Sequence, residues 1–230
     1  MGQPLLGLLP PSVYARTRSA DADPDLLYPA EYHFVTGAVA RRQREFAAVR
    51  DCARRALEAL GVTPCAIPRG PRGEPGWPAG VVGSMTHCEG MYMAAVASDR
   101  EIHALGIDAE SRAPLPEGVL RLVSAPEERS MLTELAADEP GVPWERLLFS
   151  AKEAVYKAWY PVTRSWLGFD QATVSFSPES GSFTVRLHAS PDQVRAMTKG
   201  LPLTGRYVLT DKHLLTAVCV PAGGAPPDRK

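Results

Sequence analysis

The sequence has few cysteines, almost no net charge and no long apolar run, and each shortage excludes a class of protein. Its 230 residues include four cysteines, which form neither a C-x-x-C pair nor a zinc-ligand spacing. They are expected to be reduced, mostly buried thiols of a cytoplasmic protein. The net charge of −1 provides no bulk attraction to nucleic acid or to a membrane surface, and no stretch approaches the length of a transmembrane helix. The sequence also lacks a G-x-x-x-x-G-K-[ST] phosphate-binding loop.

The two ends of the sequence carry weak structural signals. Residues 1–12 lack a basic region and are interrupted by prolines, so they are not expected to be a signal peptide. Residues 5–9 are instead predicted to form the first strand. Residues 222–230 form a small polar tail, which is predicted to be disordered.

The segment FSAKEAVYKAWY, residues 149–160, has the apolar spacing of a core helix. One broad face of this helix and the turn before it carries Trp144, Leu147, Leu148, Ala151, Val155, Ala158 and Trp159. The opposite face carries Glu153 and Lys157 among aromatic side chains, whereas a solvent face would be polar throughout. A carboxylate buried in such a contact needs a partner, a metal or a ligand. The alternative is a surface i, i+4 ion pair between Glu153 and Lys157, and the helix alone does not decide between the two.

A second segment, HALGIDAE at residues 103–110, alternates between apolar and polar side chains as a strand does. Asp108 and Glu110 therefore lie on the same face. Two carboxylates that close repel each other unless a cation lies between them. A third carboxylate from Glu153 would complete an oxygen site of the kind that suits Mg²⁺. The alternative is an exposed strand end with two solvated acids.

Other helices and strands are predicted upstream of these segments. A helix from about residue 36 to residue 60 carries six arginines, which form a solvated basic face in most helices of this kind. A proline- and glycine-rich loop follows at residues 68–80. Residues 81–97 read as two strands, with Thr86 and His87 at the bend between them.

Downstream, the helix and strand signals continue. Ser124 and Glu127 resemble a capping box and predict a helix that ends near residue 136. Pro143 and Pro161 are predicted to bound the central helix. The predicted strands that follow span residues 173–176, 183–187 and 206–220, the last being a hairpin that turns near residues 211–212.

Together, GIDAE at residues 106–110 and FSAKEAVYK at residues 149–157 resemble the 4′-phosphopantetheinyl transferases of the surfactin-synthetase-activating type. The pattern of that family is G-[IV]-D-x-E followed some tens of residues later by [FW]-[SC]-x-K-E-x-x-x-K. The segments RGPRGEPGWPAGVVGSMTHCEG and WLGFDQA resemble its actinobacterial branch, which serves siderophore, polyketide and lipid synthases. The resemblance covers roughly residues 31 to 220.

The resemblance implies an α+β fold of two similar subdomains related by a pseudo-twofold axis, with the active site in the cleft between them. Residues 1–105 would form the N-terminal subdomain, which binds the coenzyme A nucleotide. Residues 106–221 would form the C-terminal subdomain, which carries the magnesium ion and the catalytic groups. The chain itself shows no sequence repeat.

The resemblance also assigns the coenzyme A contacts. They are Arg42, Arg50, Arg69, Gly73, Pro75, Thr86, His87, Lys152 and Lys157. Of the arginines in the first helix, Arg42 and Arg50 would hold the 3′-phosphate, with Arg44 as a further candidate. The loop at residues 68–80 would line the adenine, with Arg69 reaching phosphate, while Thr86 and His87 would contact the pyrophosphate.

The same resemblance implies the metal ligands and the catalytic groups. The magnesium ligands would be Asp108, Glu110 and Glu153, and the catalytic residues would be Glu153, Lys157 and His87. Glu153 would accept the proton of the attacking serine, directly or through water, and the positive charge of Lys152, Lys157 and His87 would act at the pyrophosphate. Ala109 lies between the two acids and offers no ligand, so a water would take that place.

The expected activity is transfer of 4′-phosphopantetheine from coenzyme A to a serine of an apo acyl or peptidyl carrier protein, with release of 3′,5′-ADP. A metal-dependent nucleotide phosphohydrolase could use the same carboxylates, and a non-catalytic coenzyme A-binding protein is the third possibility. The expected partners are coenzyme A and carrier proteins, without nucleic acid or membrane. The protein is expected to act as a monomer in the cytoplasm.

Overall fold

The computed structural model describes residues 7–223 and contains two packed units, each with a 20-residue helix against an antiparallel sheet. The N-terminal unit consists of β1 (Tyr14–Arg18), α1 (Pro29–Tyr32), α2 (Ala40–Ala59), β2 (Val81–Cys88) and β3 (Met91–Ser98). Its sheet has the order β1-β3-β2. Helix α2 buries Phe46, Ala53 and Leu57 against this sheet, as the apolar spacing predicts.

The C-terminal unit is larger. It consists of β4 (Ile102–Ser111), α3 (Val119–Val123), α4 (Pro126–Asp138), α5 (Trp144–Thr163), β5 (Ala172–Ser177), β6 (Ser182–Leu187), α6 (Pro191–Thr198), β7 (Leu203–Leu209) and β8 (His213–Pro221). The sheet order is β4-β8-β7-β6-β5. The seven apolar side chains predicted for one face of α5 are all at most 2% exposed, so the prediction of a core helix is confirmed.

Gly106 allows α5 to lie directly on β4. A Cβ atom at Gly106 would collide with the carbonyl oxygen of Ala154 and with the backbone nitrogen of Ala158. Both atoms belong to the helix backbone, so neither can rotate away. The missing side chain therefore brings the part of α5 that carries Glu153 and Lys157 close to the part of β4 that carries Asp108.

The two sheets meet along β2 and β4, where side-chain hydroxyls link the strands. Ser84 Oγ accepts a hydrogen bond from the Ile107 N–H at 3.1 Å, and Thr86 Oγ1 accepts one from the Ala109 N–H at 3.2 Å. Apolar side chains of β3, β4 and β8 fill the space beneath this junction. The candidate site residues of β2 and β4 are thus held side by side.

Several predicted boundaries are wrong. The first strand is β1; of the residues predicted for it, 5 and 6 lie outside the described residues, and residues 7–9 form a turn and a bend. Helix α5 continues two residues past Pro161, because a proline in the last turn removes only the hydrogen bond of its own missing N–H. The helix ends at Arg164, which adopts the left-handed conformation (φ 53°).

The predicted capping box is displaced by one residue. Glu128 Oε2, and not Glu127, accepts a hydrogen bond from a backbone N–H, that of Ala125, at 2.7 Å. Ser124 instead follows the last residue of α3, and its hydroxyl donates to the carbonyl oxygen of Leu120. Helices α3 and α6 lie in segments for which the sequence predicts no element.

Two further predictions concern the chain as a whole. The subdomain boundary predicted between residues 105 and 106 falls inside β4. Residues 224–230 of the predicted tail lie outside the described residues. Among the helices of residues 7–223, none is long and apolar enough to span a bilayer.

Candidate active site

Asp108 lies at the centre of the site, on the face of β4 that α5 covers. Its Oδ1 atom accepts hydrogen bonds from Lys157 Nζ at 2.6 Å and from Thr86 Oγ1 at 3.0 Å. The residue is 4% exposed, yet its Oδ2 atom has no hydrogen-bond partner among the described residues. A buried carboxylate oxygen without a partner is costly and calls for a ligand.

Glu110 lies on the same face of β4, as the alternation predicts. Its Oε2 atom accepts a hydrogen bond from Arg146 Nη1 at 2.9 Å. Burial raises the pKa of Glu110, and the nearby charge of Asp108 raises it further. The sequence analysis did not identify Arg146, although it precedes Glu153 by two helical turns and therefore shares its face of α5.

Glu153 faces these two acids from α5 and is half-buried. Burial raises its pKa most, Lys157 lowers it, and the charges of Asp108 and Glu110 raise it. The ammonium of Lys157 binds Asp108, and the described residues contain no ion pair between Lys157 and Glu153. The alternative interpretation of a surface ion pair between the two helix residues is therefore wrong.

The three carboxylates satisfy part of what a magnesium site requires. Hard oxygen donors and the unpartnered Asp108 Oδ2 suit a divalent cation, and the charge of Asp108 raises the pKa of Glu110 and of Glu153. However, residues 7–223 contain no group of three acidic, histidine or cysteine side chains gathered closely enough to hold a metal ion. The side-chain positions thus do not confirm the predicted ligand set of Asp108, Glu110 and Glu153. Lys157 forms an ion pair with Asp108 and Arg146 forms one with Glu110, so two of the three carboxylates are already paired.

His87 and Arg42 form a second group beside Asp108. Arg42 Nη1 lies 2.9 Å from His87 Nε2, and Glu45 Oε2 lies 3.6 Å from the same nitrogen. Burial lowers the pKa of His87, and the charge of Arg42 lowers it further. Both effects favour the neutral imidazole, whose Nε2 can accept a hydrogen bond from Arg42, so the structure does not support the predicted positive charge on His87.

Thr86 lies in the last part of β2 and not at the bend after it. Its hydroxyl donates to Asp108 and accepts from the Ala109 N–H. The residue is 5% exposed, so both functions of the hydroxyl are already used inside the protein. The structure thus gives Thr86 a role in orienting Asp108, which the sequence analysis did not foresee.

Helix α2 provides the cationic side of the cleft. Arg50 is 5% exposed, its guanidinium lies 3.3 Å from the centroid of the Phe46 ring, and its Nε atom has no partner among the described residues. Burial lowers its pKa to about 9, Glu31 raises it, and the charges of Arg42, Arg54 and Arg69 lower it further. The guanidinium groups of Arg42 and Arg69 are therefore near enough to Arg50 to act on its charge. Arg44 instead binds Asp21 at 2.7 Å, so it is not part of this group.

The loop at residues 68–76 brings Arg69 to this region. Gly70 N–H donates to the Glu74 carbonyl, and Arg69 pairs with Pro75 in an isolated β-bridge. Gly73 has a φ of 92°, which side chains rarely adopt, and a Cβ there would press on the Arg69 guanidinium at 3.0 Å. Gly73 and Pro75 thus shape a tight turn against Arg69.

Lys152 does not face the cleft with its ammonium. Its Nζ atom donates to Glu128 Oε2 at 2.7 Å and to the carbonyl oxygen of Phe169 at 2.8 Å, and the residue is 3% exposed. Because these partners are internal, the prediction that Lys152 contacts coenzyme A is not supported. A helical wheel places Lys152 next to Glu153 but does not show that α4 provides a buried carboxylate for it.

A cavity of about 210 Å³ opens beside Glu153. Aromatic side chains form much of its wall: Tyr156, Trp166 and Phe169, with Leu167, Gly168, Ala172 and the side chain of Lys152. Tyr156 and Trp166 pack with ring centroids 5.1 Å apart. The aromatic second face of α5 is therefore partly buried, as the sequence predicts.

Guanidinium groups on α2 and in the loop at residues 68–76 can bind phosphate oxygens, and the partly desolvated acids of β4 and α5 can attract a cation. Residues 30–97 match the family model of the 4′-phosphopantetheinyl transferase N-terminal domain, and residues 104–210 match that of the 4′-phosphopantetheinyl transferase superfamily. The chain belongs to the 4′-phosphopantetheinyl transferase superfamily.

Three relatives match most of the chain, and each is named as a 4′-phosphopantetheinyl transferase. Svp of Streptomyces mobaraensis is 49% identical, over 92% of this chain and 87% of its own. Npt of Nocardia iowensis is 45% identical, over 83% and 88%. PptT of Mycobacterium tuberculosis is 40% identical, over 95% and 98%. The resemblance found in the two motifs is thus confirmed, including its actinobacterial branch.

Proposed function

We propose that this protein transfers 4′-phosphopantetheine from coenzyme A to a serine hydroxyl of an apo carrier protein. Membership of the superfamily and the names of its relatives support this activity. The structural observation that carries the proposal is a pair of buried, unpartnered polar atoms, Arg50 Nε on α2 and Asp108 Oδ2 on β4. They offer a donor to an anion and an acceptor to a cation.

The nucleotide of coenzyme A would bind on the N-terminal unit. Arg42 and Arg50, with Arg69 from the loop, would hold the 3′-phosphate, because charge-assisted hydrogen bonds from guanidinium groups suit phosphate oxygens. Gly73 and Pro75 would line the adenine. Arg50 is desolvated by burial but retains its charge at neutral pH, which makes its interaction with an anion stronger than that of an exposed arginine.

The pyrophosphate would lie between β4 and α5. Asp108 and Glu110, with Glu153 nearby, would hold Mg²⁺, which when bound neutralises charge on the pyrophosphate oxygens. Lys157 would donate to the phosphoryl oxygens, and Arg42 would stabilise the departing 3′,5′-ADP. Thr86 keeps the Asp108 carboxylate oriented through its 3.0 Å hydrogen bond.

Glu153 would act as the base. The serine oxygen forms a bond to the phosphorus that bears pantetheine, the bond from that phosphorus to 3′,5′-ADP breaks, and the serine proton moves to Glu153, directly or through water. Its raised pKa brings the carboxylate nearer to the pH at which a base is most effective. The pantetheine arm would leave the pyrophosphate past Glu153 and enter the aromatic cavity.

Mass spectrometry tests the activity. An apo carrier protein incubated with this protein, coenzyme A and Mg²⁺ should gain the mass of one phosphopantetheine, and 3′,5′-ADP should appear in equal amount. Release of phosphate without modification of the carrier would favour a nucleotide phosphohydrolase. Binding of coenzyme A without either product would leave only a coenzyme A-binding protein.

The setting of the reaction is also a proposal. All four cysteines are free thiols, which is typical of proteins in a reducing compartment. We expect the protein to act in the cytoplasm as a monomer, with coenzyme A and the carrier protein as its partners. Light scattering during turnover measures the oligomeric state directly.

A further inference from the structure

Two buried glutamates have the same surroundings in the two units, although the sequence shows no repeat. Each stands two residues after a proline, in Pro29-Ala30-Glu31 and in Pro126-Glu127-Glu128. Glu31 is 0% exposed and Glu128 is 1% exposed. Each binds a cation on the long helix of its own unit, Arg54 at a separation of 23 residues and Lys152 at a separation of 24 residues.

The hydrogen bonds correspond one by one. Glu31 Oε2 accepts from the Tyr28 N–H at 2.9 Å, and Glu128 Oε2 accepts from the Ala125 N–H at 2.7 Å. The other oxygen of each accepts from a distant backbone N–H, that of Ile67 at 2.7 Å or of Val174 at 2.8 Å. We call Glu31 with Arg54 the N-terminal hub and Glu128 with Lys152 the C-terminal hub.

Each cation also donates to a backbone carbonyl, and the two hubs differ in what they hold there. Arg54 Nη2 donates to Leu26 at 2.8 Å, and Lys152 Nζ donates to Phe169 at 2.8 Å. Phe169 and Lys152 both line the cavity beside Glu153. Leu26 does not line that cavity, and the N-terminal hub reaches the proposed nucleotide side through its glutamate, which binds the Ile67 N–H immediately before the loop that carries Arg69.

We infer that the C-terminal hub fixes the wall of the aromatic cavity and thereby limits the size of the group that the cavity accepts at the sulfur end of the arm. Glu128 and Lys152 are then positioning residues, which act through Phe169 and touch no phosphate. This inference rests on the proposed function, because it takes the cavity to hold the pantetheine arm. It explains why a lysine next to Glu153 directs its ammonium into the protein.

The test removes both charges of a hub, so that no uncompensated charge stays buried. The variant of the C-terminal hub is Glu128→Gln with Lys152→Met. Its matched control is Glu31→Gln with Arg54→Met, which makes the same chemical change in the N-terminal hub. For each, kcat and KM are measured with coenzyme A and with butyryl-coenzyme A, and the binding of 3′,5′-ADP is measured by calorimetry.

The C-terminal variant should lower kcat/KM for coenzyme A about tenfold, the scale of one charge-assisted hydrogen bond. It should lower kcat/KM for butyryl-coenzyme A less, so the ratio of kcat/KM values shifts in favour of the bulkier substrate. The affinity for 3′,5′-ADP should equal that of wild type. The control should weaken 3′,5′-ADP binding and leave the substrate ratio unchanged.

Three results would overturn the inference: an unchanged substrate ratio, the same change in both double variants, or a loss of 3′,5′-ADP binding in the C-terminal variant. The last would return Lys152 to the phosphate site. If the double variant does not fold, Glu128→Gln alone serves, since glutamine keeps the size of the side chain and an oxygen that can accept from a backbone N–H. A wild-type protein that transfers nothing would contradict the proposed function instead.

Discussion

Helix α5 carries two lysines, Lys152 and Lys157, and each places its ammonium against a buried carboxylate. The pair of Lys152 with Glu128 has side chains that are 2% and 0% exposed, and both carboxylate oxygens accept hydrogen bonds. The pair of Lys157 with Asp108 has side chains that are 27% and 6% exposed, and Asp108 Oδ2 has no partner among the described residues.

The difference shows how one helix separates structural charge from chemical charge. A buried pair in which both carboxylate oxygens are bonded and the ammonium is turned into the protein holds its neighbours together. A pair with an unpartnered oxygen, next to further acids whose pKa values are raised, retains a capacity for a ligand. The predictions below test whether the Lys152 pair is structural and the Lys157 pair belongs to the ligand site.

The largest effect is expected at Glu153. We call the face of α5 that carries Glu153 and Lys157 the open side of the helix. Glu153→Gln keeps the size of the side chain but removes its negative charge, so phosphopantetheine transfer should fall about 10²–10⁴-fold. Coenzyme A binding and the melting temperature should not fall. Rate, affinity and melting temperature are measured on one preparation, and an active variant would remove Glu153 from the mechanism.

The next effect concerns stability and compares the two carboxylate partners directly. Glu128→Ala leaves the Lys152 ammonium buried without its partner and should destabilise the fold by about 3–5 kcal/mol. Asp108→Ala should cost much less, because Lys157 is partly exposed and the crowding with Glu110 is relieved. Urea denaturation of both variants gives the two free energies. Equal losses would mean that the two pairs are equally structural.

The sequence predicted the parts of this site that follow from periodicity. The core face of α5 and the shared face of Asp108 and Glu110 come directly from the spacing of side chains, and the structure confirms both. The family resemblance supplied the superfamily, which the relatives confirm. Periodicity also placed Glu153 opposite the core, where burial and the nearby acids raise its pKa.

The remaining errors concern partners that are distant in the chain. The spacing within α5 does not show that Glu128 of α4 lies against Lys152. Nor does it show that Arg146 binds Glu110, which lies in β4 and is distant in the chain. The role of Thr86 likewise depends on the parallel placement of β2 beside β4. Such contacts depend on tertiary packing, which no local pattern encodes.

A smaller effect is expected at the cationic side of the cleft. Arg50→Met removes a buried guanidinium with an unpartnered Nε, so coenzyme A affinity should fall about ten- to hundred-fold, the value of a hydrogen bond to a charged group. Arg55→Met is the control, because Arg55 is exposed on the same helix and binds Asp51. Calorimetric titration with coenzyme A and with dephospho-coenzyme A, which lacks the 3′-phosphate, compares them. Equal losses for both ligands would contradict a contact with that phosphate.

The smallest effect is the pH dependence of stability without ligand, and it belongs to the open side of α5. Burial raises the pKa of Glu153 and of Glu110 in the folded protein, above the value of about 4.3 expected in the unfolded chain. Between about pH 4.3 and the raised pKa values, the folded state binds more protons than the unfolded state. These groups therefore contribute stability that is fully present below about pH 4.3 and is lost as the pH rises through their raised pKa values.

Glu110→Gln combined with Glu153→Gln should therefore flatten the decline in melting temperature over this window, and Glu58→Gln, on the exposed surface of α2, should not. Mg²⁺ with coenzyme A should produce the same flattening in the wild type, since a nearby cation favours the charged acids. The measurement is thermal denaturation at a series of pH values with each protein. If the melting temperatures of wild type and the double variant change with pH in parallel, the two acids are solvated and behave as ordinary surface charges.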